Sequence, residues 1–379
     1  MIVQRAAVIC EFNPFHNGHK FLLEKIKEEF ADEVVCIMSG NFVQRGDIAI
    51  TDKYTRARTA LENGADMVAE LPTVYAVSAA QVFAKSGVQI AYELGCEKLC
   101  FGSENSLEEL YSLLNVLDAQ ETQKKIAGYM NDGDYYPLAL SKAVGNDLSE
   151  IICKPNNILA LEYIRACRSY GIEPIAIKRI GVGHDDTEVC GNIASATKIR
   201  ELLINGEDCS PYTPMRISEP CQLSDIDQII CYLLRSKKPG DTEGIAGISE
   251  GLNHRLHKCA VENRSVDEIL AAAKTKRYTM ARLRRAVISV CLNITDEMQH
   301  RDVPYIRVLG IRKDKSHMIQ SKNLPLIIDV RRGYDLLDQS AKEIFDIDIA
   351  AAELMNMCRD ASGINEFSHG VIKVYKKHP

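Results

Sequence analysis

The sequence predicts an α/β protein in which a parallel sheet carries helices on both faces and is followed by a mainly helical second domain. Up to about residue 205, short apolar runs alternate with amphipathic helical patterns, which is typical of parallel strands buried on both faces. Beyond about residue 220 the apolar periodicity is mostly helical. The chain has 379 residues, more than one hydrophobic core usually holds, so two domains are expected.

Five mostly apolar runs are the predicted strands of the first domain. They cover residues 6–10, 33–38, 66–71, 98–102 and 174–178. The first run leads directly into polar residues and then into a helical pattern. In open parallel sheets, ligands bind where strands end and helices begin, so a site is expected at this junction.

Three helical patterns lie between these strands. The first follows the junction just described, with Phe21, Leu22, Ile26 and Phe30 on one face. The second begins with a capping box of Ser106 and Glu109, ahead of Leu110, Leu113, Leu114 and Leu117. The third is predicted to be capped by Asn156 or Asn157 and to end at Gly171, with Ile158, Leu161 and Ile164 facing inward.

The composition of the sequence changes at residues 206–220, which are polar and contain prolines. Such composition is typical of a connection between domains. We therefore place a first domain at residues 1–205, a linker at 206–220 and a second, mainly helical domain at 221–379.

Composition and cysteine spacing exclude several classes of protein. The net charge of −6 means that any nucleic-acid site must be a local basic patch. The 13 cysteines are scattered without a Cys-x-x-Cys pair, which favours reduced thiols over disulfides or zinc. No signal-peptide pattern and no apolar stretch of ~20 residues occurs. We expect a cytoplasmic protein with no metal site, no membrane segment and no evident protein partner.

A pair of histidines follows the first predicted strand, in His16-Asn17-Gly18-His19. A helix N-terminus carries unpaired N–H groups and about +0.5 charge, which suits a phosphate. Gly18 lets the backbone approach closely, and imidazoles three residues apart can face the same phosphate. Nucleotidyl transfer spreads negative charge over the phosphorus oxygens, which such groups neutralise without a covalent intermediate. We therefore predict an ATP site of the nucleotidyltransferase type with His16 and His19 as catalytic residues.

A second phosphate-binding element is predicted near the end of the first domain. Residues 195–200 hold two hydroxyls, Ser195 and Thr197, and two cations, Lys198 and Arg200, just before an apolar helix face. Alone, this cluster is equally consistent with an ordinary capped helix. Together with the histidine pair it is well suited to the outer phosphates of ATP.

These motifs and several others carry a resemblance to a known family. The relevant segments are residues 11–19 (EFNPFHNGH), 39–46 (SGNFVQRG), 64–66 (GAD), 70–72 (ELP), 101–104 (FGSE), 154–159 (KPNNIL) and 275–278 (TKRY). Across nearly the whole chain, the sequence resembles the bacterial tRNA(Met) cytidine acetate ligases. That family lies in the nucleotidyltransferase superfamily with pantetheine-phosphate adenylyltransferase, which implies a Rossmann-like sheet.

The resemblance implies a reaction and a set of ATP-binding residues. The expected enzyme activates acetate with ATP, which brings magnesium with it, and acetylates the wobble cytidine of elongator tRNA(Met) through acetyl-adenylate. The expected ATP-binding residues are Ala7, Val8, Ile9, Cys10, Glu11, Phe12, Asn13, Pro14, Phe15, His16, Asn17, Gly18, His19, Lys20, Gly102, Asn156 or Asn157, Arg179, Ser195, Thr197 and Arg200. The choice between the two asparagines stays open. Gln44, Arg45 and Asp47 either help to bind acetate or the adenylate, or form an ordinary polar loop.

A basic segment is the predicted contact with tRNA. Residues 274–285 carry six cations and no acid: Lys274, Lys276, Arg277, Arg282, Arg284 and Arg285. Tyr278 among them is an aromatic residue able to stack on a base. A second basic group comprises Arg307, Arg312, Lys313 and Lys315. With the family resemblance, phosphate binding is favoured over a merely solvated basic face.

Two other functions compete with the acetate ligase. A small-molecule adenylyltransferase of the pantetheine-phosphate type accounts for both phosphate motifs but leaves the basic segment without a role. A nucleotide-sensing RNA-binding protein without turnover does not require His16, His19, Ser195, Thr197 and Arg200 together. Pyrophosphate release that depends on acetate separates the ligase from both.

Overall fold

The computed structural model describes residues 3–152, 154–178, 189–358 and 365–375. Within them, eight strands form one sheet in the order β11-β10-β5-β2-β1-β6-β7, with β12 paired to β10. These strands are β1 (Arg5–Cys10), β2 (Glu33–Ser39), β5 (Met67–Leu71), β6 (Lys98–Ser103), β7 (Glu173–Lys178), β10 (Ile306–Arg312), β11 (Leu326–Ile327) and β12 (Ile372–Val374). Two small hairpins pair β3 (Phe42–Val43) with β4 (Asp47–Ile48) and β8 (Val189–Cys190) with β9 (Ile193–Ala194).

All five predicted strands are present, as β1, β2, β5, β6 and β7, and they are parallel. Their carboxyl ends therefore meet at one edge of the sheet, hereafter the carboxyl edge. Side chains alternate between the two faces: Ala7 and Ile9 of β1 join one apolar cluster, and Ala6 and Val8 join another. Because both faces are buried, these strands are mostly apolar and show no alternation of polar and apolar positions.

The helices of the first half of the chain cover both faces of the sheet. They are α1 (Asn17–Glu29), α2 (Lys53–Glu62), α3 (Thr73–Ala76), α4 (Ala80–Glu93), α5 (Leu107–Asp118), α6 (Gln120–Asn131), α7 (Tyr136–Val144), α8 (Asn146–Ile152), α9 (Pro155–Tyr170) and α10 (Ala196–Ile204). Leu23 of α1 and Ala57 of α2 pack in one apolar cluster, and Val88 of α4 and Leu161 of α9 in the other. The predicted α/β class with helices on both faces is confirmed.

The second half of the chain is mainly helical, as predicted, but it also extends the sheet. Its helices are α11 (Asp227–Ser236), α12 (Leu252–Glu262), α13 (Val266–Ala273), α14 (Met280–Leu292), α15 (Asp296–His300), α16 (Val330–Leu336) and α17 (Gln339–Asn356), with 3-10 turns at Leu223–Ile226, Pro239–Thr242 and Lys313–Met318. Strand β10 pairs antiparallel with β5, and β11 and β12 pair with β10. The boundary at 206–220 stays a prediction.

Two of the predicted helix ends are confirmed and one is wrong. Ser106 and Glu109 form the predicted capping box of α5, with bonds of 3.2 and 2.8 Å. Gly171 ends α9 in the left-handed conformation, also as predicted. The predicted asparagine cap of α9 is wrong, since Lys154 is the N-cap and Pro155 the first helical residue. Proline suits that position because its φ is fixed and it lacks the N–H that would stay unpaired.

A buried ionic cluster joins the sheet to the segment at residues 365–375. Lys53 Nζ lies 2.6 Å from Glu70 Oε1 and 3.0 Å from Glu366 Oε2. Arg307 Nη1 lies 2.5 Å from Glu366 Oε2 and 3.3 Å from Glu70 Oε2. The Tyr54 hydroxyl accepts from Arg307 Nη2 at 2.7 Å and donates to Glu366 at 3.1 Å. All four charged side chains are at most 3% exposed, so each depends on the others for its charge partners.

Among the residues described, no helix is long and apolar enough to span a bilayer. The predicted cytoplasmic location stays a prediction.

Candidate active site

The two histidines lie stacked at the N-terminus of α1, at the carboxyl edge. Their ring centroids are 3.7 Å apart and the ring planes differ by 24°. His16 is the N-cap residue, and its Nδ1 accepts from Gly18 N at 3.1 Å. His19 Nδ1 accepts from His16 N at 3.2 Å. The first turn of α1 thus holds both imidazole rings in fixed positions on the same side of the helix.

This hydrogen bonding also decides which ring nitrogen carries the proton. Nδ1 of each histidine accepts a backbone N–H and must therefore be unprotonated in the neutral ring. The proton of each neutral ring is then on Nε2, the nitrogen at the far end of the ring. Both imidazoles can consequently donate to phosphate oxygens without first being charged.

The turn before α1 is anchored at several points. Phe12 has a φ of +47°, which is unusual for a residue with a large side chain. Asn13 Oδ1 accepts from Ile50 N at 2.7 Å, and Asn13 O accepts from Arg200 Nη1 at 2.8 Å. The strained backbone is thus held by contacts from two distant parts of the chain.

The predicted second phosphate element meets the histidine motif. Ser195 is the N-cap of α10, and its Oγ accepts from Lys198 N at 3.1 Å. Arg200 reaches the turn before α1, as described above, and its Nη2 donates to Thr197 Oγ1 at 3.1 Å. The N-termini of α1 and α10 therefore lie beside each other, although their motifs are separated by about 180 residues in sequence. Two helix N-termini with a guanidinium between them suit a polyphosphate.

Part of the predicted linker contacts the histidine motif. Asn17 Nδ2 donates to Pro211 O at 2.9 Å and to Asn192 O at 2.7 Å. Thr213 Oγ1 donates to Phe15 O at 2.5 Å. These contacts join the histidine motif to residues 192 and 211–213. The predicted linker therefore forms part of the candidate site.

A buried arginine that the sequence did not single out supports the same edge. Arg56 of α2 is fully buried and donates to the carbonyls of Glu11 at 2.7 Å, Ser39 at 3.1 Å and Gly40. Burial lowers the pKa of Arg56 to about 10. Burial also raises the pKa of the Glu11 carboxyl, against the charges of nearby arginines. Arg56 thus ties the ends of β1 and β2 together through their carbonyls.

Several predicted ATP-binding residues have side chains that are buried in the apolar core. The side chains of Ala7, Val8, Ile9, Phe12 and Phe15 are at most 9% exposed and pack in the apolar core. These side chains hold β1 and the following turn in place, and the prediction that the residues line the ATP site stays a prediction.

The two candidate asparagines have different surroundings. Asn157 is completely buried, accepts from Ser103 Oγ at 3.3 Å and donates to Asn105 Oδ1 and Ile151 O. Asn156 is partly exposed and donates to Glu104 Oε1 at 2.5 Å. Asn157 therefore fixes the loop after β6, and Asn156 is the better candidate for a contact with ATP. Gly102, near the end of β6, is partly exposed; Arg179 lies outside the described residues.

Comparison with known proteins agrees with this geometry. Residues 3–368 match the family model described as HIGH Nucleotidyl Transferase. The chain is 34% identical to a tRNA(Met) cytidine acetate ligase of Thermoanaerobacter sp. (strain X514), over 97% of this chain and 99% of the relative. It is 32% identical to the ligase of Clostridium tetani, over 86% and 91%.

The chain belongs to the tRNA(Met) cytidine acetate ligase family. Among solved structures it is similar to Thermotoga maritima TmcAL bound with alpha-thio ATP, with a TM-score of 0.90 and 29% identity over 98% of this chain and 100% of that one. The apo form of the same protein gives a TM-score of 0.89.

The six cations predicted to bind tRNA fall into two groups in this member of the ligase family. Lys274, Lys276 and Arg277 are exposed. Arg282, Arg284 and Arg285 are partly buried on α14. Arg282 is paired with Glu250 at 3.2 Å, and Arg284 with Asp47 at 3.1 Å.

One aromatic and one basic residue that were expected at the surface are buried. Tyr278 is 6% exposed, its hydroxyl donates to Glu250 O at 2.6 Å, and its ring faces the Arg282 guanidinium. It is therefore not placed to stack on a base. Arg307 is 2% exposed and belongs to the buried ionic cluster. Both predictions were wrong because a local run of charge does not show which side chains the tertiary fold covers.

The described parts of the chain contain no group of three or more His, Cys, Asp or Glu side chains arranged to hold a metal ion. The carboxylates of Asp47 and Glu11, whose charges act on Arg200, are engaged by Arg284 and by Gln44 N.

Proposed function

We propose that this chain is an ATP-dependent ligase that makes acetyl-adenylate from acetate and acetylates the wobble cytidine of elongator tRNA(Met). Membership of the tRNA(Met) cytidine acetate ligase family supports the whole reaction. The observation that carries the ATP half is the meeting of the stacked His16 and His19 with Arg200 at two helix N-termini. ATP would bring magnesium on its own phosphates.

The proposed chemistry has two displacements. An acetate oxygen attacks the α-phosphorus of ATP, and the bond to pyrophosphate breaks. The exocyclic amine of cytidine then attacks the acetyl carbonyl carbon, AMP leaves and the amine loses one proton. His16 and His19 would donate through Nε2 to the phosphate oxygens as charge moves onto them, and Arg200 would neutralise the departing pyrophosphate.

The test is pyrophosphate release from ATP, with and without acetate and with and without a tRNA(Met) transcript. We expect release that depends on acetate, followed by labelled acetate in the transcript. Release that requires a phosphorylated small molecule instead of acetate would contradict the proposal and support the adenylyltransferase of the pantetheine-phosphate type.

For the tRNA contact we propose the exposed cations Lys274, Lys276 and Arg277. Phosphate-dominated binding releases counterions, so tRNA affinity is expected to fall at least about tenfold between about 50 and 200 mM salt. A filter-binding titration at several salt concentrations measures this. Affinity that does not change with salt would show that phosphate contacts do not dominate.

A further inference from the structure

Helix α14 packs directly against the hairpin formed by β3 and β4. Gly46, at the tip of the hairpin, has a φ of +74°. A Cβ added at Gly46 would lie 2.3 Å from Arg285 N and 2.5 Å from the carbonyl carbon of Arg284. The hairpin tip and the helix backbone are thus in contact with no space for a side chain, and the left-handed φ independently favours glycine.

Two arginine side chains of α14 fasten this contact. Arg284 Nη1 lies 3.1 Å from Asp47 Oδ2, with about one third of each side chain exposed. Arg285 Nη1 donates to Gln44 O at 3.3 Å. Burial lowers the pKa of Arg285 to about 10, so the side chain remains charged at neutral pH. Both guanidinium groups therefore point toward the hairpin, where a tRNA phosphate would have to displace existing contacts.

The hairpin in turn contacts the ATP motif. Gln44 N donates to Glu11 Oε1 at 2.6 Å, and Gln44 Nε2 donates to Ser78 O at 3.0 Å. Glu11 directly precedes the strained turn at Phe12. The negative charges of Glu11 and Asp47 both act on Arg200. Contacts therefore lead from α14 through the hairpin to Glu11, and the charges of Asp47 and Glu11 act electrostatically on Arg200 beside the histidine motif.

We infer that Arg284 and Arg285 are positioning residues of the adenylate-forming site, which hold the hairpin at residues 44–47 so that Glu11 and Asp47 orient Arg200. This replaces the prediction that they bind tRNA phosphates, and it leaves the exposed cations Lys274, Lys276 and Arg277 for that contact. The inference concerns ATP binding by Arg200 and rests on the proposed function for its link to acetate activation.

The experiment compares Arg285→Gln with Arg255→Gln. Arg255 of α12 is a matched control, because it too donates to main-chain carbonyls, those of Ala272 and Ala273, but not to the hairpin. Four quantities are measured for each variant: ATP affinity, the KM for ATP in acetate-dependent pyrophosphate release without tRNA, tRNA affinity and melting temperature. Arg285→Gln loses the charged hydrogen bond to Gln44 O that holds the hairpin. Because the hairpin positions Arg200, we expect this variant to bind ATP more weakly and to raise the KM for ATP about tenfold.

We expect Arg255→Gln to leave ATP affinity unchanged, Arg285→Lys to recover part of the loss, and Arg285→Gln to change tRNA affinity less than about twofold. Weaker tRNA binding by Arg285→Gln with normal ATP affinity would overturn the inference. Equal losses of ATP affinity in Arg285→Gln and Arg255→Gln would also overturn it, since general destabilisation would then suffice. If the wild type releases no pyrophosphate with acetate, the proposed function fails, while ATP affinity still tests the positioning role.

Discussion

Replacing His16 or His19 by alanine is expected to lower acetate-dependent pyrophosphate release by about 100- to 1,000-fold. Each ring accepts a backbone N–H at Nδ1, and Nε2 is the donor that we propose toward the phosphate. Each substitution removes a donor that is already positioned when charge develops on the phosphate oxygens. Pyrophosphate release at saturating ATP and acetate, without tRNA, measures the effect on the chemical step.

Two further variants separate catalysis from folding. His16 also caps α1, and losing a cap costs about 1 kcal/mol. Because asparagine is a good N-cap but lacks the imidazole, His16→Asn is expected to keep the stability and lose the activity. His300→Ala, at an exposed position of α15, is the matched control. Normal pyrophosphate release in both His16→Ala and His19→Ala would show that these residues are not catalytic.

Replacing Glu366 by alanine is expected to destabilise the fold by about 3–5 kcal/mol. Glu366 is 2% exposed and is within 3.0 Å of both Lys53 Nζ and Arg307 Nη1. Without it, Lys53 and Arg307 lose the carboxylate that pairs with both of them, and an undercompensated buried charge is costly. Urea unfolding of the variant and the wild type measures the difference.

The exposed Glu353 on α17 provides the matched control, since Glu353→Ala removes a carboxylate without touching the buried ionic cluster. A change below about 0.5 kcal/mol is expected there. Equal destabilisation by the two substitutions would mean that the cluster contributes nothing specific.

The lowered pKa of the Glu366 carboxyl predicts that the stability of the fold depends on pH. Burial raises the pKa of Glu366, but the charges of Lys53 and Arg307 outweigh it and bring the pKa to about 2, below the ordinary value of 4.5. A depressed pKa means that the stabilisation is complete above pH 4.5 and is lost as pH falls toward 2. Glu366→Gln should therefore reduce the loss of stability over that interval.

Features carried by local sequence were predicted correctly. The five strands are continuous apolar runs, the Ser106 box needs only residues three apart, and Gly171 ends a helix by its own conformational freedom. The position of the histidine pair between a strand end and a helix start was also predicted correctly, because that junction is set by the local sequence. Its tautomers follow from hydrogen bonds within one helical turn.

Features that depend on distant contacts were not predictable. Arg56 gave no signal in the sequence, yet its guanidinium ties β1 to β2. Tyr278 and Arg307 stand in basic surroundings in the sequence, but the fold buries them. Asn156 and Asn157 are adjacent and chemically identical, and only the contacts of Asn157 with the loop after β6 distinguish them.

The sequence by itself therefore determined the α/β class, the family and the two motifs of the candidate site, because apolar periodicity and short motifs are local properties of the chain. The tertiary structure alone decided that those motifs meet through Arg200, that Glu366 completes a buried ionic cluster, and that α14 holds the hairpin beside the site. Each of these joins residues more than 180 positions apart. Burial and charge pairing over such separations are set by packing, which no local pattern encodes.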